Sequence, residues 1–233
     1  MPTFQYHPEI LRQFPGLRAG LALASGLHNG PTPEPLQAAC LQEQRATLDR
    51  LGATPLSEIE GLAAWRSAFR AFGVNPTKYR SAPEALLRRL TKKGDIPSIN
   101  ILVDICNLVS IRYAMPVAAF DTRALAIPVT VHFAAGAERF TPLGESQVEH
   151  PDPGEVIFSD TTGLVIARRW CWRQSAESAA SPATREAFFT IEAQHSGSGS
   201  QVQRALEDLL GLLDTYAGGR YTAAVLGPQQ SQI

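Results

Sequence analysis

The stretch VDICNLVSIRYAMPVAAFD, Val103–Asp121, combines a helical apolar pattern with short polar side chains and ends on Pro, Val, two Ala residues and Phe-Asp. Asp104, Asn107 and Ser110 recur every three residues, so they share one face of the predicted helix. Asn100 extends that face toward the N-terminus. The polar stripe either faces water or lines a site, and the pattern alone leaves both open.

The chain before this helix is predicted to be mostly helical. Short apolar residues between Gly16 and Gly26 predict one early buried strand. Apolar spacing and terminal glycines predict the helices that follow. Their ranges are Pro35–Leu51, Leu56–Phe72, Ser81–Gly94 and a helix that begins at Ser98 and ends before Pro116.

After Ala126 the chain changes to short β-branched or aromatic runs separated by turn residues, which predicts a sheet. The runs are IPVTVHFA, ERFTPL, EVIFSD, LVIARRW and EAFFTIEA. SGSGS at Ser196–Ser200 predicts a flexible hinge before a helix over about 202–216, and GPQQSQI predicts a frayed tail. Helices followed by mostly antiparallel strands predict an α+β fold, with a helical N-terminal half on a mixed, mostly antiparallel sheet. We expect one domain over 1–233.

Composition predicts an ordinary globular protein, with 44% hydrophobic and 18% charged residues and a net charge of −1 over 233 residues. That charge argues against a globally basic nucleic-acid binder. No segment approaches the length of a membrane span or resembles a secretory signal, so we expect a soluble, cytoplasmic protein. Cys40, Cys106 and Cys171 are widely spaced in apolar surroundings, which favours reduced thiols over a disulfide framework.

Familiar catalytic motifs are absent from the sequence. The five histidines never fall at metal-ligand spacing with one another or with a cysteine pair, so we expect no metal. The sequence has no P-loop, nucleophile elbow or dinucleotide fingerprint, so we expect no nucleotide cofactor.

The first of two basic features lies between Arg66 and Lys93, where eight cationic residues accompany the single acid Glu84. Such a local excess suits docking on a phosphate backbone. A solvated helix surface with basic residues in its last turn explains the same pattern. The candidate RNA-binding residues are Lys78, Arg80, Arg88, Arg89, Lys92 and Lys93.

The second feature is ARRWCWRQS, Ala167–Ser175, which follows a predicted strand. Arginine forks bind phosphate or carboxylate, and tryptophan faces stack on bases. A structural cation–π cluster at a sheet edge is the alternative. We favour a ligand-lining role, and the candidates are Arg169, Trp170, Trp172, Arg173 and Gln174.

A family resemblance joins these pieces. SINILVDICNLVSIRYAMPVAAFD resembles the B3/B4 module of the β subunit of bacterial phenylalanyl-tRNA synthetase, in which N-x-V-D-x-x-N-Y-V precedes P-L-H-A-F-D. PGEVIFSDTTG, LVIA and TREAFFTIEA resemble later segments of the module in the same order. FGVNPTKYRSAPEALLRRLTKKGDIPSIN and RRWCWRQ are more similar to free-standing B3/B4 proteins. The core of the resemblance covers about 62–193.

The resemblance implies a protein that binds the aminoacylated 3′ end of tRNA and deacylates it in trans, with the acyl group between the striped helix and the sheet. It makes Asp104, Asn107 and Asp121 candidate pocket residues. Glu192 corresponds to the glutamate of L-L-E-A-A and is the candidate for orienting water or the substrate ammonium group. Thr184 is the candidate hydroxyl. An aminoacyl ester is activated, so a positioned water suffices and no covalent nucleophile is needed.

Two departures from the family pattern leave alternatives open. Ala118 stands where P-L-H-A-F-D has its histidine, and the Trp/Arg cluster stands where the synthetase has a glycine-rich turn. We therefore expect a different acyl group. A non-catalytic module that binds tRNA, another RNA or a protein partner is the main alternative. A small-molecule amide or ester hydrolase is a weaker one, because it gives the basic face between Arg66 and Lys93 no purpose.

Overall fold

Six α-helices form within residues 3–233, the part of the chain that the computed structural model describes. They are α1 (Pro8–Gln13), α2 (Glu34–Leu51), α3 (Glu60–Ala71), α4 (Ala82–Lys93), α5 (Ile101–Tyr113) and α6 (Gly199–Tyr216). Leu56–Glu58 form a separate 3₁₀ turn, so the predicted helix over Leu56–Phe72 is interrupted at Ile59. α4 ends as predicted at Gly94, whose φ of 81° is the left-handed conformation that glycine adopts without strain.

α5 begins at Ile101, and its N-cap is Asn100, two residues after the predicted start at Ser98. The side chain of Asn100 accepts a hydrogen bond from the Val103 N–H at 3.1 Å and caps the helix. The prediction that Ser98 begins this helix was wrong, because the Ser98 hydroxyl donates to Asp104. Asn100, the first residue of the polar stripe, is therefore the N-cap of α5.

Nine strands form two sheets within residues 3–233. The first sheet has the order β1 (Phe4–Tyr6), β4 (Val129–Phe133), β5 (Val156–Ser159), β6 (Val165–Arg168), β7 (Arg173–Gln174). The second has the order β3 (Val117–Asp121), β8 (Glu186–Ala193), β2 (Arg18–Ser25), β9 (Arg220–Leu226). β1 runs parallel to β4 and all other pairs are antiparallel. The predicted α+β class with mixed, mostly antiparallel pairing is confirmed, although the strands divide between two sheets.

The second sheet packs against α2, α5 and α6 on one face and against the first sheet, with α1 and α3, on the other. Successive residues of a strand point to opposite faces, so Phe189 and Ile191 of β8 pack in one core with α5 and α6. Phe188, the residue before Phe189, lies in the other core together with Phe158 of the first sheet. The early strand β2 joins this sheet between β8 and β9. The edge strand β3 follows α5 directly, which brings the polar stripe to the edge of the sheet.

Three local predictions were wrong. ERFTPL forms only isolated bridges, including Phe140 with Glu149, and Phe140 packs with Ile157 and Val165 of the first sheet. The last Gly and Ser of SGSGS form the first turn of α6. The tail is not frayed, since the Ile233 carbonyl accepts from the Thr3 and Phe4 N–H groups and Ile233 packs on the core.

No helix in the described range 3–233 combines the length and apolar character needed to cross a lipid bilayer. The same residues hold no cluster of three or more His, Cys, Asp or Glu side chains suited to a metal ion. Cys40, Cys106 and Cys171 are free thiols.

Candidate functional site

The polar stripe of α5 divides into structural residues and one residue at a cavity. Asp104 accepts hydrogen bonds from the Ser98 hydroxyl, the Thr32 hydroxyl at 2.6 Å and the Ile99 N–H at 2.9 Å. A buried carboxylate with three donors is a loop anchor, because its hydrogen-bonding capacity is largely used. The structure thus gives the predicted pocket residue Asp104 an anchoring role between α5 and the loop before it.

Ser110 is also structural, since its hydroxyl donates to the Met115 carbonyl at 2.7 Å. Asn107 differs from these residues, because its side chain makes no hydrogen bond within residues 3–233 and lines a cavity. Its amide offers two donors and one acceptor oxygen to a ligand. Asn107 is therefore the residue of the stripe whose side chain has no hydrogen-bond partner within residues 3–233.

The cavity lies where α5, the edge strand β3, the β6–β7 connection and the N-terminus of α4 meet. It is open to solvent and has a cavity volume of about 160 Å³. Most of its lining is apolar, with a few polar groups, as in many small-ligand sites. The polar and charged lining residues are Asn107, Arg173, Gln174, Thr190 and Glu192. The apolar and aromatic residues include Val103, Ala118, Phe120, Phe158, Trp170 and Trp172.

Glu192 is the acid of this cavity and is 1% exposed. Its Oε1 accepts hydrogen bonds from the Tyr6 hydroxyl at 2.6 Å and the Trp170 indole N–H at 2.8 Å. It forms no ion pair within residues 3–233. Burial raises the pKa of Glu192 to about 7, against the two hydrogen bonds, which lower it. The carboxyl group is therefore poised to gain or lose a proton near neutral pH.

Trp170 holds Glu192 from inside the aromatic core. Its ring packs edge-to-face on Trp65 and Phe14 at centroid distances of 5.2 and 4.9 Å. Arg169 and Trp170 both adopt left-handed backbone conformations, with φ of 47° and 62°. Non-glycine residues in this region are uncommon and cluster at functional sites. The turn directs the indole N–H to Glu192, which gives the buried polar group its partner.

The other residues of ARRWCWRQS take different roles. Arg169 is buried, pairs with Glu155 at 2.6 Å, and lies over the Trp172 ring at 4.6 Å. Gln174 donates to the Ala119 and Ser178 carbonyls, both at 2.8 Å, and so ties the first sheet to edge strand β3. Arg173 is exposed at the cavity and lies over the Trp172 ring at 4.7 Å. Arg169 is thus a structural ion-pair partner, whereas Trp172, Arg173 and Gln174 line the cavity.

Two thiols of the cavity, Cys106 and Cys171, are poor nucleophiles. Burial, with the negative charge of Asp104, raises the pKa of the Cys106 thiol. Burial, with the charge of Glu192, raises the pKa of the Cys171 thiol well above its ordinary value. Only the thiolate attacks efficiently, so both groups stay protonated and unreactive at neutral pH.

Thr184 and Asp121 form a separate unit. The Thr184 hydroxyl donates to the Asp121 carboxylate, and Arg123 also donates to it at 2.9 and 3.0 Å. Burial raises the pKa of Asp121, but the bonds from Arg123 and Thr184 outweigh it and hold the pKa below its ordinary value. Neither residue lines the cavity. The sequence-based expectation of a Thr184 hydroxyl at the reacting atoms therefore has no geometric basis in this structure.

The predicted basic face separates into two sides of α4. Arg80, Arg88 and Lys92 line an open groove of about 450 Å³, together with Arg66 of α3. Arg89 points elsewhere and pairs with Asp95 at 3.6 Å.

Two further candidates also lie outside this groove. The Lys78 ammonium group lies 5.0 Å from the centroid of the Tyr79 ring, and Lys93 is exposed. Three of the six RNA-binding candidates therefore converge on one surface, and the other three do not.

Comparison with known proteins identifies the family. A B3/4 domain model matches residues 64–218. The chain belongs to the B3/4 domain family. The phenylalanine–tRNA ligase beta subunit of Shewanella oneidensis is 30% identical to this B3/4 protein over 94 residues. That match covers 40% of the present chain and 12% of the relative.

A solved structure shares the fold. The B3/4 chain superposes on an N-terminal fragment of the phenylalanyl-tRNA synthetase beta subunit from Pyrococcus horikoshii with a TM-score of 0.50 and 13% sequence identity. The alignment covers 94% of this chain and 50% of the fragment. This B3/4 protein therefore spans a small part of the curated relative and half of the solved fragment. The resemblance inferred from the sequence motifs is confirmed.

Tyr6 is the site residue that the sequence did not reveal. It is buried on β1, a strand of three residues, and it reaches Glu192 from 186 positions away. Its N–H donates to the Ser231 carbonyl at 2.9 Å, so the C-terminal segment holds the strand in place. The three-residue run FQY gives no sequence signal for a contact between residues so far apart in the chain.

Proposed function

We propose that this B3/4 protein is an aminoacyl-tRNA deacylase that acts in trans and hydrolyses the ester bond of mischarged tRNA. Both relatives named above are subunits of a tRNA ligase, which supports tRNA as the partner. A tRNA substrate implies a cytoplasmic location. The acyl group enters the cavity between α5 and β3, and the 3′-terminal nucleotide lies at its mouth.

The observation that carries this proposal is the state of Glu192. The carboxyl group lines a mostly apolar cavity, has no cationic partner within residues 3–233, and has a pKa of about 7. A carboxyl group kept in this state is a candidate general base, and purely structural acids are more often paired with cations. Both protein hydrogen bonds reach Oε1, so Oε2 is the oxygen that serves the substrate or water.

The hydrolysis proceeds by direct attack of water. Glu192 Oε2 accepts a proton from a water molecule as its oxygen bonds to the ester carbonyl carbon. The tetrahedral intermediate then expels the ribose oxygen, which receives the proton and leaves as a hydroxyl group. The protonated state of Cys106 and Cys171 argues against a covalent acyl-thiol route. Asn107 supplies a neutral donor toward the substrate.

The RNA part of the substrate meets Arg173 and Trp172 first. Arg173 is exposed at the cavity mouth and is 3.8 Å from Glu145, a weak contact that a phosphate can replace. Trp172 lies between Arg169 and Arg173, with Tyr79 at its edge at 4.9 Å. We assign Arg173 to phosphate or ribose contact and Trp172 to the wall beside the terminal base.

A second candidate function is a tRNA-binding or partner-binding module without catalysis. The observation that favours it is Ala118, which stands at the position of the family motif's histidine and leaves the cavity wall there without a polar group. Binding needs the basic groove and the cavity mouth but does not need Glu192 to ionise.

A deacylation screen with correctly and incorrectly charged tRNAs distinguishes the two functions. We expect the wild-type protein to release the amino acid from at least one mischarged tRNA, and E192Q to bind that tRNA equally well but release the amino acid more slowly. Binding without deacylation of any charged tRNA supports the module. Absence of both tRNA binding and deacylation contradicts the deacylase and a tRNA-binding module, and leaves only a module that binds another partner.

A further inference from the structure

Glu84 is the one acid in the basic groove beside α4 within residues 3–233. Its Oε1 accepts from the Arg66 guanidinium at 2.7 Å and lies 3.8 Å from Nε of Arg80. Its Oε2 is buried and has no hydrogen-bond partner within residues 3–233. The carboxylate therefore lies between two arginines, with one oxygen paired and the other without a hydrogen-bond partner.

The sequence around Glu84 predicts a different role. Ser81 and Glu84 have the S-x-x-E spacing of a capping box, in which the glutamate accepts from the serine backbone N–H and the serine hydroxyl accepts from the glutamate N–H. The structure shows no side-chain cap at α4. The Ser81 hydroxyl is buried and has no partner within residues 3–233. Glu84 is thus held by the arginines in place of its usual capping partner.

We propose that the Glu84 carboxylate is a placeholder for an RNA phosphate, which takes its position between Arg66 and Arg80 when RNA binds. The two arginines exchange one anion for another, and the released glutamate completes the capping box with Ser81. The released carboxylate then accepts from the Ser81 N–H, which gives the buried Oε2 of Glu84 a partner. The inference rests on the proposed RNA-binding function.

Two further cationic side chains continue the basic surface from Arg66 and Arg80 along α4. Arg88 and Lys92 line the same groove and form no ion pair within residues 3–233. They are four residues apart on one face of α4, about 6 Å along the axis. Ala82, at the start of the same helix, lines the Glu192 cavity. An RNA strand laid along α4 therefore passes from the groove to the cavity within about 15 Å.

The test measures the affinity for uncharged bulk tRNA over a series of salt concentrations. E84Q removes the competing charge and keeps the shape, so we expect affinity to rise about 3- to 10-fold. The slope of log K against log salt should steepen by roughly 0.7 to 0.9 for each phosphate gained. R88A/K92A should weaken binding and flatten the slope by about 1.4 to 1.8. R89A/K93A, with the same loss of charge on the same helix outside the groove, should have a smaller effect.

The outcomes separate this inference from the proposed function. Unchanged or weaker binding by E84Q, with R88A/K92A impaired, overturns the placeholder and leaves RNA binding intact. No tRNA binding by the wild type contradicts the proposed function itself. If E84Q does not fold, E84D decides, because it keeps the charge but withdraws it from Arg66. E84D should bind more tightly than the wild type, and equal or weaker binding overturns the inference.

Discussion

Glu155 and Glu192 are both buried acids, but only one of them has a countercharge. Glu155, just before β5, pairs with Arg168 at 2.8 Å and with Arg169 at 2.6 Å. Glu192, in β8, accepts two bonds from the neutral donors Tyr6 and Trp170. Glu155 neutralises two buried arginines and so holds the fold, whereas the unpaired Glu192 changes its protonation state near neutral pH. The contrast distinguishes the structural acid from the candidate catalytic one.

Removal of the charge of Glu155 should give the largest effect on stability. E155Q leaves Arg168 and Arg169 buried with only the exposed partners Glu149 and Asp152. Breaking a buried pair in this way costs about 3 to 5 kcal/mol of unfolding free energy. Denaturant unfolding measures it, with E149Q as the control on the exposed side of the same network. A loss no larger than that of E149Q would show that Glu155 is not the structural acid.

Removal of the charge of Glu192 should act on rate. E192Q keeps the acceptor for Tyr6 and Trp170 but lacks a base, so deacylation should slow by about 10- to 1000-fold, the range for positioned acid–base groups. Single-turnover release of the amino acid from charged tRNA measures this. R173A should reduce affinity and rate together, because we propose that its guanidinium group contacts a phosphate or ribose of the RNA. A wild-type rate for E192Q would assign the proton transfer to the ribose hydroxyl or another group.

The pH dependence of stability should report the protonation of Glu192. The folded-state pKa of Glu192 is raised from 4.5 to about 7. The stability that the protonated form contributes is fully present below about pH 4.5 and is lost as pH rises through about 7. Relative to E192Q, the free energy of unfolding of the wild type should fall by about 3 kcal/mol as pH rises over that range. A constant difference between pH 4.5 and pH 8 would show that Glu192 is ionised throughout.

The same unfolding curves test the proposed single domain over 1–233. The two cores share β2 and β8, whose alternate residues enter opposite cores, so we expect one cooperative transition. Two transitions would contradict a single folding unit.

The smallest expected effect belongs to Tyr6. Its hydroxyl stabilises the ionised form of Glu192, so Y6F should raise the pKa of the acid and move the pH–rate profile of deacylation to higher pH by up to about one unit. Y113F is the control, because Tyr113 donates to Asp208, away from the cavity. Coincident profiles for Y6F and the wild type would mean that Tyr6 only fills space.

The sequence allowed most of the helices, the α+β class and the Trp/Arg cluster to be predicted, because side-chain periodicity and caps carry those signals. It did not reveal β1, α1, β9 or the paired tail. β1 and the tail are joined by backbone hydrogen bonds, which leave no side-chain pattern, and β9 (RYTAAVL) is an edge strand whose partly exposed residues weaken the strand signal. Glu192 was placed through the family motif, but its partner Tyr6 depends on tertiary structure alone.

The stripe on α5 shows the same limit. Spacing placed Asp104 and Asn107 on one face, but it could not show which of them has partners. The Ser98 and Thr32 hydroxyls, which donate hydrogen bonds to Asp104, come from two segments outside α5. Only the three-dimensional structure shows that Asn107 is the residue left for a ligand.

The most direct test of the account is a carbon-detected NMR titration of the Glu192 side-chain carboxyl group, assigned by comparison with E192Q. The account predicts a midpoint near pH 7, because a buried carboxyl group with two neutral donors and no countercharge resists ionisation. A midpoint near 4.5, the ordinary value for glutamate, would contradict the claim that the cavity is built around an unpaired acid.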